Sequence, residues 1–250
     1  MSKVKWIVLA IVVYLVFLLA SFPAQFITNN LKLKNISFNG VTGTLWSGAS
    51  SSIAIDNISI EQVSWTLNPW SLLTGELAAE MKFGKFNSKL KGQLKMAYGL
   101  NGAKLQDLQF EAPLAQLVAG KKLLLNSKLS GALSVDIAEF SQGQPWCMQL
   151  AGDIKVQQLQ VNNGFGQFPL GNVQAVLSCK QGNVNLAIAE NHNQLGLQAQ
   201  LQVTDKQYKV VGSIGVTSEQ PEKLRQGLTM LGKPDVNGRY QIDYQGKLPI

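Results

Sequence analysis

Apolar residues recur along this chain with two different spacings. Over residues 6–22, WIVLAIVVYLVFLLASF, they run on with no charged residue between them. From residue 36 onward they alternate with polar residues, and Gly, Asn, Asp or Pro breaks the alternation every few positions. The first spacing predicts one apolar helix. The second predicts a long antiparallel series of strands joined by short turns. Ile53 and Ile55, then Ile58 and Ile60, make two period-2 runs with Asp56-Asn57 as the turn between them. Val63, Trp65 and Leu67 follow, and Leu77, Ala79, Met81 and Phe83 share one face further on. Similar alternation marks residues 90–98, 129–137, 146–156, 173–179, 184–188, 195–203 and 208–216. Clusters such as 180–183 and 204–206 separate the later runs.

Two short helices interrupt the strands. In WTLNPWSLLTGEL, residues 65–77, Asn68 is placed to cap, Pro69 takes the first helical position, and Trp70, Leu72 and Leu73 fill one turn that Gly75 ends. Near the end, Ser218 caps, Pro221 sits in the first turn, and Leu224, Leu228 and Leu231 fall at helical spacing. Gly232 and Pro234 stop that helix. A last strand is expected over residues 236–248, with Val236, Tyr240, Ile242 and Tyr244 on one side.

Five runs share the pattern apolar-x-Gly-x-apolar-x-apolar, centred on Gly92, Gly131, Gly152, Gly212 and Gly238. A missing side chain on the inner face lets a sheet bend or another backbone approach. The intervals are uneven, which excludes a solenoid period. The fold expected is mainly β: an N-terminal transmembrane helix, then a strongly curved antiparallel sheet, a half-barrel or a groove, with one or two short helices. Alternation alone makes packed cores more often than ligand sites. By the same reasoning Trp46, Trp65 and Trp70 are expected to pack as core against nearby glycines.

The apolar helix has a head and a continuation. Lys3 and Lys5 precede it, Trp6 stands where an interfacial aromatic belongs, and counting on to Ile27 lengthens the span. A cleaved signal peptide is the alternative, but cleavage after Ala24 puts Phe22, a bulky residue, three positions upstream. The organisation expected is a cytoplasmic head at 1–5, a transmembrane anchor at 6–27 and a periplasmic β-rich domain at 28–250. Lys32 and Lys34 weaken the charge rule, while the very short head favours an N-terminus inside. Cys147 and Cys179 are the only two cysteines, and both fall in strand-like stretches; a disulfide in an oxidising compartment is the reading preferred over two buried thiols.

Charged residues are only 15% of the 250 and the formal charge is +7, without an arginine cluster or interleaved aromatics. This composition points to mild attraction to anionic lipid and away from nucleic acid. His192 is a lone histidine in a polar loop, no residues are spaced for a metal, and no nucleophile elbow, paired carboxylates or phosphate loop is present. No enzyme, no cofactor and no catalytic or metal-binding residue is expected.

The order of motifs carries a resemblance. A short basic head and an apolar helix are followed by VTGTLWSGAS at 41–50, WTLNPWSLLTGEL at 65–77, the cysteine pair, and the ending LRQGLTMLGKPDVNGRYQIDYQGKL. This resembles the type II secretion system protein N family of Gram-negative bacteria. The residues carrying it are Trp46, Trp65, Pro69, Trp70, Gly75, Gly232, Pro234 and Gly238. The resemblance implies a single-pass inner-membrane protein, an accessory part of the apparatus that exports folded proteins across the outer membrane. Its implied partners are other subunits of that system, in the inner-membrane platform and the outer-membrane channel, together with inner-membrane lipids. The layout is also similar to periplasmic lipid-handling proteins of the AsmA-like kind, which implies a lipid- or hydrophobe-binding groove instead.

Overall fold

A computed structural model describes residues 2–30, 36–56, 58–85, 87–120, 126–164, 166–189, 193, 196–218, 220, 222–229 and 232–248. Two helices open the chain, α1 (Ser2–Ala20) and α2 (Ala24–Asn30). The strands are β1 (Ile36–Asn39), β2 (Thr42–Gly43), β3 (Ser47–Ile55), β4 (Ile58–Asn68), β5 (Glu76–Phe83), β6 (Lys91–Gly99), β7 (Gly102–Pro113), β8 (Lys128–Gln142), β9 (Cys147–Asn163), β10 (Gly166–Lys180), β11 (Asn183–Ile188), β12 (Leu197–Val203), β13 (Gln207–Gly215) and β14 (Arg239–Lys247). A 3₁₀ helix (Pro69–Thr74) joins β4 to β5. α3 (Leu114–Leu117) follows β7, and α4 (Glu222–Leu228) lies between β13 and β14.

All fourteen strands belong to one open antiparallel sheet, and from β3 to β14 spatial order follows chain order. β1 and β2 both pair with β3, at its end and its start respectively, and make one edge. β14 is the other. The hairpin expected at Asp56-Asn57 is present: Ile55 pairs with Ile58, and Asp56 has φ +50°, as a tight two-residue turn requires; Asn57 itself lies outside the described residues.

The apolar alternation is inherited from the sequence but changes parity inside strands. On β9, Ile154 and Val156 precede Gln158 and Leu159 and Val161 follow it; Gln158 has φ +50° and the β8–β9 register shifts opposite it. Asp107 on β7, φ +51°, separates Leu105 from Leu108 and Phe110 in the same way, beside a register shift against β6. Each extra residue keeps the apolar side chains on one face while bending and twisting the strand.

The inner-face glycines mark close approaches. At Gly92 a Cβ would lie 2.3 Å from the Gln109 carbonyl oxygen and 2.6 Å from the ring of Phe83. At Gly152 and Gly212 it would meet the carbonyl oxygens of Asp136 and Gln198 at 2.6 and 2.5 Å. Three aromatic rings lie over the glycine directly opposite on the next strand: Trp65 over Gly48, Phe83 over Gly92 and Tyr208 over Gly246. Phe83 also meets Phe110 from the other side of Gly92, with ring centroids 6.2 Å apart. The ring covers backbone that the glycine leaves bare, so the pair packs as one unit.

No second layer covers the apolar face across its whole width. The chain exposes 16,931 Å², whereas a compact monomer of 27.2 kDa exposes on the order of 11,000 Å². The unpartnered side chains of α1 supply part of the excess, and the sheet's apolar face supplies more: Leu77, Met96, Tyr98 and Tyr244 are all exposed.

Three expectations are corrected. The last strand starts at Arg239, and Val236 stands fully in solvent because residues 235–238 form a turn. Gly238 therefore serves that turn, with φ +73°, and has no atom close enough for the inner-face role. Trp70 is not core: it is 75% exposed, because the 3₁₀ helix carries it beyond the sheet's end. Helix α1 stops at Ala20 rather than Ile27, and Pro23 forms a bridge with Thr44. At 1.5 Å per residue α1 is about 28 Å long. Among the described residues no helix is long and apolar enough to cross a membrane.

Candidate interaction surfaces

VTGTLWSGAS holds the end of α1 against the sheet. The Trp46 indole nitrogen donates to the carbonyl of Leu19 at 2.8 Å. The Leu45 amide donates to the Phe22 carbonyl at 2.9 Å, and the Gln25 side-chain amide donates to the Val41 carbonyl. Ala24 and Val41 are buried where the two segments meet. The helix C-terminus thus gains donors for carbonyls that have no partner within it. Trp65 supports this clamp from the next strand, its indole nitrogen donating to the Leu45 carbonyl at 3.1 Å. Both tryptophans are half-buried and structural.

The neighbouring turn is built as the sequence predicts. The Asn68 side-chain oxygen accepts from the Trp70 amide at 3.0 Å, Pro69 follows the cap, and Gly75 closes the turn at φ +73°. The outcome is an apolar tip. Leu72 and Leu73 are 49% and 81% exposed, and Leu100, in the β6–β7 turn packed against Gly75, is 99% exposed. The strand registers place this tip at the same end of the sheet as the α1 clamp, because Trp46 follows on from the Ser47–Thr66 pair and its carbonyl accepts from Leu67.

Cys147 and Cys179 form a disulfide, with Cα atoms 6.1 Å apart. It links the first residue of β9 to β10 beneath the β8–β9 loop. That loop crosses the β10–β11 turn: the amides of Trp146 and Cys147 both donate to the Gly182 carbonyl, and the Trp146 indole donates to Thr204.

The Gly-Lys-Pro…Gly-Arg-Tyr ending makes a second lock, at the opposite end of the sheet from the clamp. Gly232 has φ +118° beyond α4, and Pro234 leads into the turn. Asp235 accepts from the amides of Asn237 and Arg239 at 2.8 and 2.9 Å and from the Gln241 side chain at 2.7 Å. The Arg239 guanidinium donates to the carbonyls of Gly196 and Ser213 and to the Ser213 hydroxyl. Gln220, buried, donates to the Gly215 carbonyl and accepts from the Thr217 amide. Leu228 of α4 is buried as its spacing predicts; Pro221 and Leu231 lie outside the described residues. Asp235, Arg239 and Gln220 escape sequence reasoning, although Asp-x-Asn-Gly is itself a turn signal.

The amide of Arg239, and with it that of Asn237, holds the Asp235 carboxyl below the usual carboxylate range. A depressed folded-state pKa contributes stability above the unfolded value and loses it as pH falls through the folded value. Asp235→Asn should therefore lower the melting temperature at neutral pH, and the difference from the parent should shrink on acidification. Parallel melting curves across pH would contradict this.

Chemistry finds no centre here. A cleft of about 480 Å³ on the polar face is lined by Thr66, Asn68, Glu76, Glu80, Lys95 and Lys104. Its carboxylates already face lysines: Glu76 is 2.7 Å from Lys104, and Glu80 is 3.0 Å from Lys82. Lys95 pairs with Asp107 at 2.8 Å, a hydrogen bond that raises the lysine pKa. Among the described residues no three metal-ligating side chains converge. His192 lies outside the described residues.

The motif residues therefore form two groups rather than one site. Trp46, Trp65, Pro69, Trp70 and Gly75 share one end of β3–β5; Gly232, Pro234 and Gly238 share the connection into β14. The two edges also differ. α2 lies against the β1–β2 edge through Gln25, whereas β14 is paired on one side only, with β13.

Comparison with known proteins bears on these motifs. The family model for the Type II secretion system (T2SS), protein N, matches residues 34–243. The Type II secretion system protein N of Aeromonas hydrophila is 31% identical over 253 residues, covering 99% of each chain. The protein of the same name from Vibrio cholerae is 28% identical over 229 residues, covering 90% of this chain and 91% of that one. That of Pectobacterium carotovorum is 21% identical over 248 residues, 95% and 94%. No solved structure matches. With a family match over residues 34–243 and a full-length relative, this chain belongs to the type II secretion system protein N family.

Proposed function

We propose that the chain is an accessory inner-membrane component of the type II secretion system, acting through protein–protein contacts in the export of folded proteins across the outer membrane, without catalysis. Residues 1–5 lie in the cytoplasm, 6–27 anchor the chain, and 28–250 form the periplasmic domain. The observation that carries this reading is the family match together with α1, whose apolar side chains, Trp6 and Phe17 among them, stand 71% and 69% exposed with no partner in the chain. About 28 Å of helix is close enough to the roughly 30 Å hydrocarbon core for slight thinning of the bilayer to make up the difference. The disulfide suits the periplasm. β14, paired on one side only, is the edge at which another subunit of the inner-membrane platform or the outer-membrane channel adds a strand. Deleting the chain from a secreting cell should cut the release of exported enzymes and leave them in the periplasm. Unchanged release would contradict the reading.

One observation favours a second reading, the AsmA-like groove. The sheet's apolar face lacks a full covering layer, and the β8–β9 loop and α4 reach over it only at its two ends. A curved sheet of this kind accepts an acyl chain. Lipid co-purifying with the full chain and lost on substituting inner-face residues would support it; none bound would end it.

A further inference from the structure

We infer that the 3₁₀ tip between β4 and β5 is a second membrane contact, inserting Trp70, Leu72 and Leu73 into the head-group region of the same bilayer that α1 enters. This rests on the anchor reading above and adds a surface to it. The tip is built to be apolar outward: the Asn68 cap and the Ser71 and Thr74 hydroxyls satisfy its backbone locally, so the outward side chains have no polar task. Ser71 also accepts from the Ala78 amide and fixes the turn on the sheet. A rigid turn displaying one tryptophan and two leucines matches an interfacial environment, where an indole buries its ring and keeps its N–H wet.

Position supplies the occupant. The Trp46 indole is bonded to Leu19, one residue before α1 ends. Trp46 lies opposite Leu67, and Trp70 is three residues further on, so the two Cα atoms are at most about 17 Å apart. Leu100 extends the same patch across Gly75. If α1 crosses the bilayer, a tip this close to its exit lies at the membrane surface, where water-exposed leucines become buried ones. Isolated exposed leucines need no explanation, but a contiguous cluster beside an apolar helix does.

The chain has no free cysteine among the described residues, so a single new thiol takes an environment-sensitive fluorophore. The full chain carrying Leu73→Cys, Ala10→Cys or Asp56→Cys is labelled and reconstituted into vesicles of phosphatidylethanolamine and phosphatidylglycerol. The expected result is a blue-shifted Leu73 probe that loses most of its emission to nitroxide-labelled lipid and little to aqueous iodide. The Ala10 probe should behave likewise, and the Asp56 probe, at the far end of β3, should do the reverse. A lipid-quenched Ala10 probe with an iodide-quenched Leu73 probe overturns the tip and leaves the anchor standing. A Leu73 probe shielded from both quenchers marks a protein contact and overturns the inference as well. An Ala10 probe reached only by iodide removes the anchor, and the inference falls with it.

Discussion

Replacing both cysteines by alanine, Cys147→Ala with Cys179→Ala, should lower the unfolding free energy by about 3–4 kcal/mol, the chain-entropy value for residues 32 apart in sequence. The position of the bridge argues for the full effect. Cys147 is 2% exposed, and the segment before it rests on Gly182 and Thr204 through three hydrogen bonds. The bridge therefore secures a crossing loop as well as two neighbouring strands. A sheet with a half-covered apolar face has fewer other restraints at that point than a packed sandwich. Urea unfolding of the full chain in detergent, oxidised against reduced, checks this. Coincident midpoints would show that the ladder alone holds β9 to β10.

Trp65→Ala should cost about 3 kcal/mol, at the lower end for removing a large aromatic, because the ring is half-buried. Its effect goes beyond lost area. A Cβ at Gly48 would come within 2.4 Å of the Trp65 ring, so the ring is what covers that backbone. The indole also holds the Leu45 carbonyl, in the segment that clamps α1. Trp65→Phe should recover part of the loss through ring packing, without the hydrogen bond. An unchanged melting temperature for Trp65→Ala would make this ring an interface residue instead.

Much of this was legible in the residues because it is local. Asn68-Pro69…Gly75 specifies its own capped turn, and Asp56 flanked by isoleucines specifies a hairpin. The alternation of apolar residues reveals the strands, and Gly92, Gly152 and Gly212 mark inner-face positions where only hydrogen fits. What was not legible depends on pairing between distant segments. Nothing near Trp70 says that the sheet ends beneath it, which makes the residue a tip instead of core. Nothing near Gln158 or Asp107 announces a left-handed residue in mid-strand, since neither is a glycine; only the change of apolar parity betrays them. The clamp joins Trp46 to Leu19 across 27 positions, and the Arg239 lock reaches back to Gly196 across 43. Val236 matches the parity of the strand that follows, yet Asp235 draws it into a turn.

The central claim is that the apolar N-terminal helix stays attached and tethers a one-layered sheet outside the cytoplasmic membrane. Intact mass of the chain recovered from fractionated cells tests it most directly. The account predicts a full-length polypeptide, residues 1–27 included, in alkali-washed membranes. A species starting near residue 25 in the soluble periplasmic fraction would contradict it.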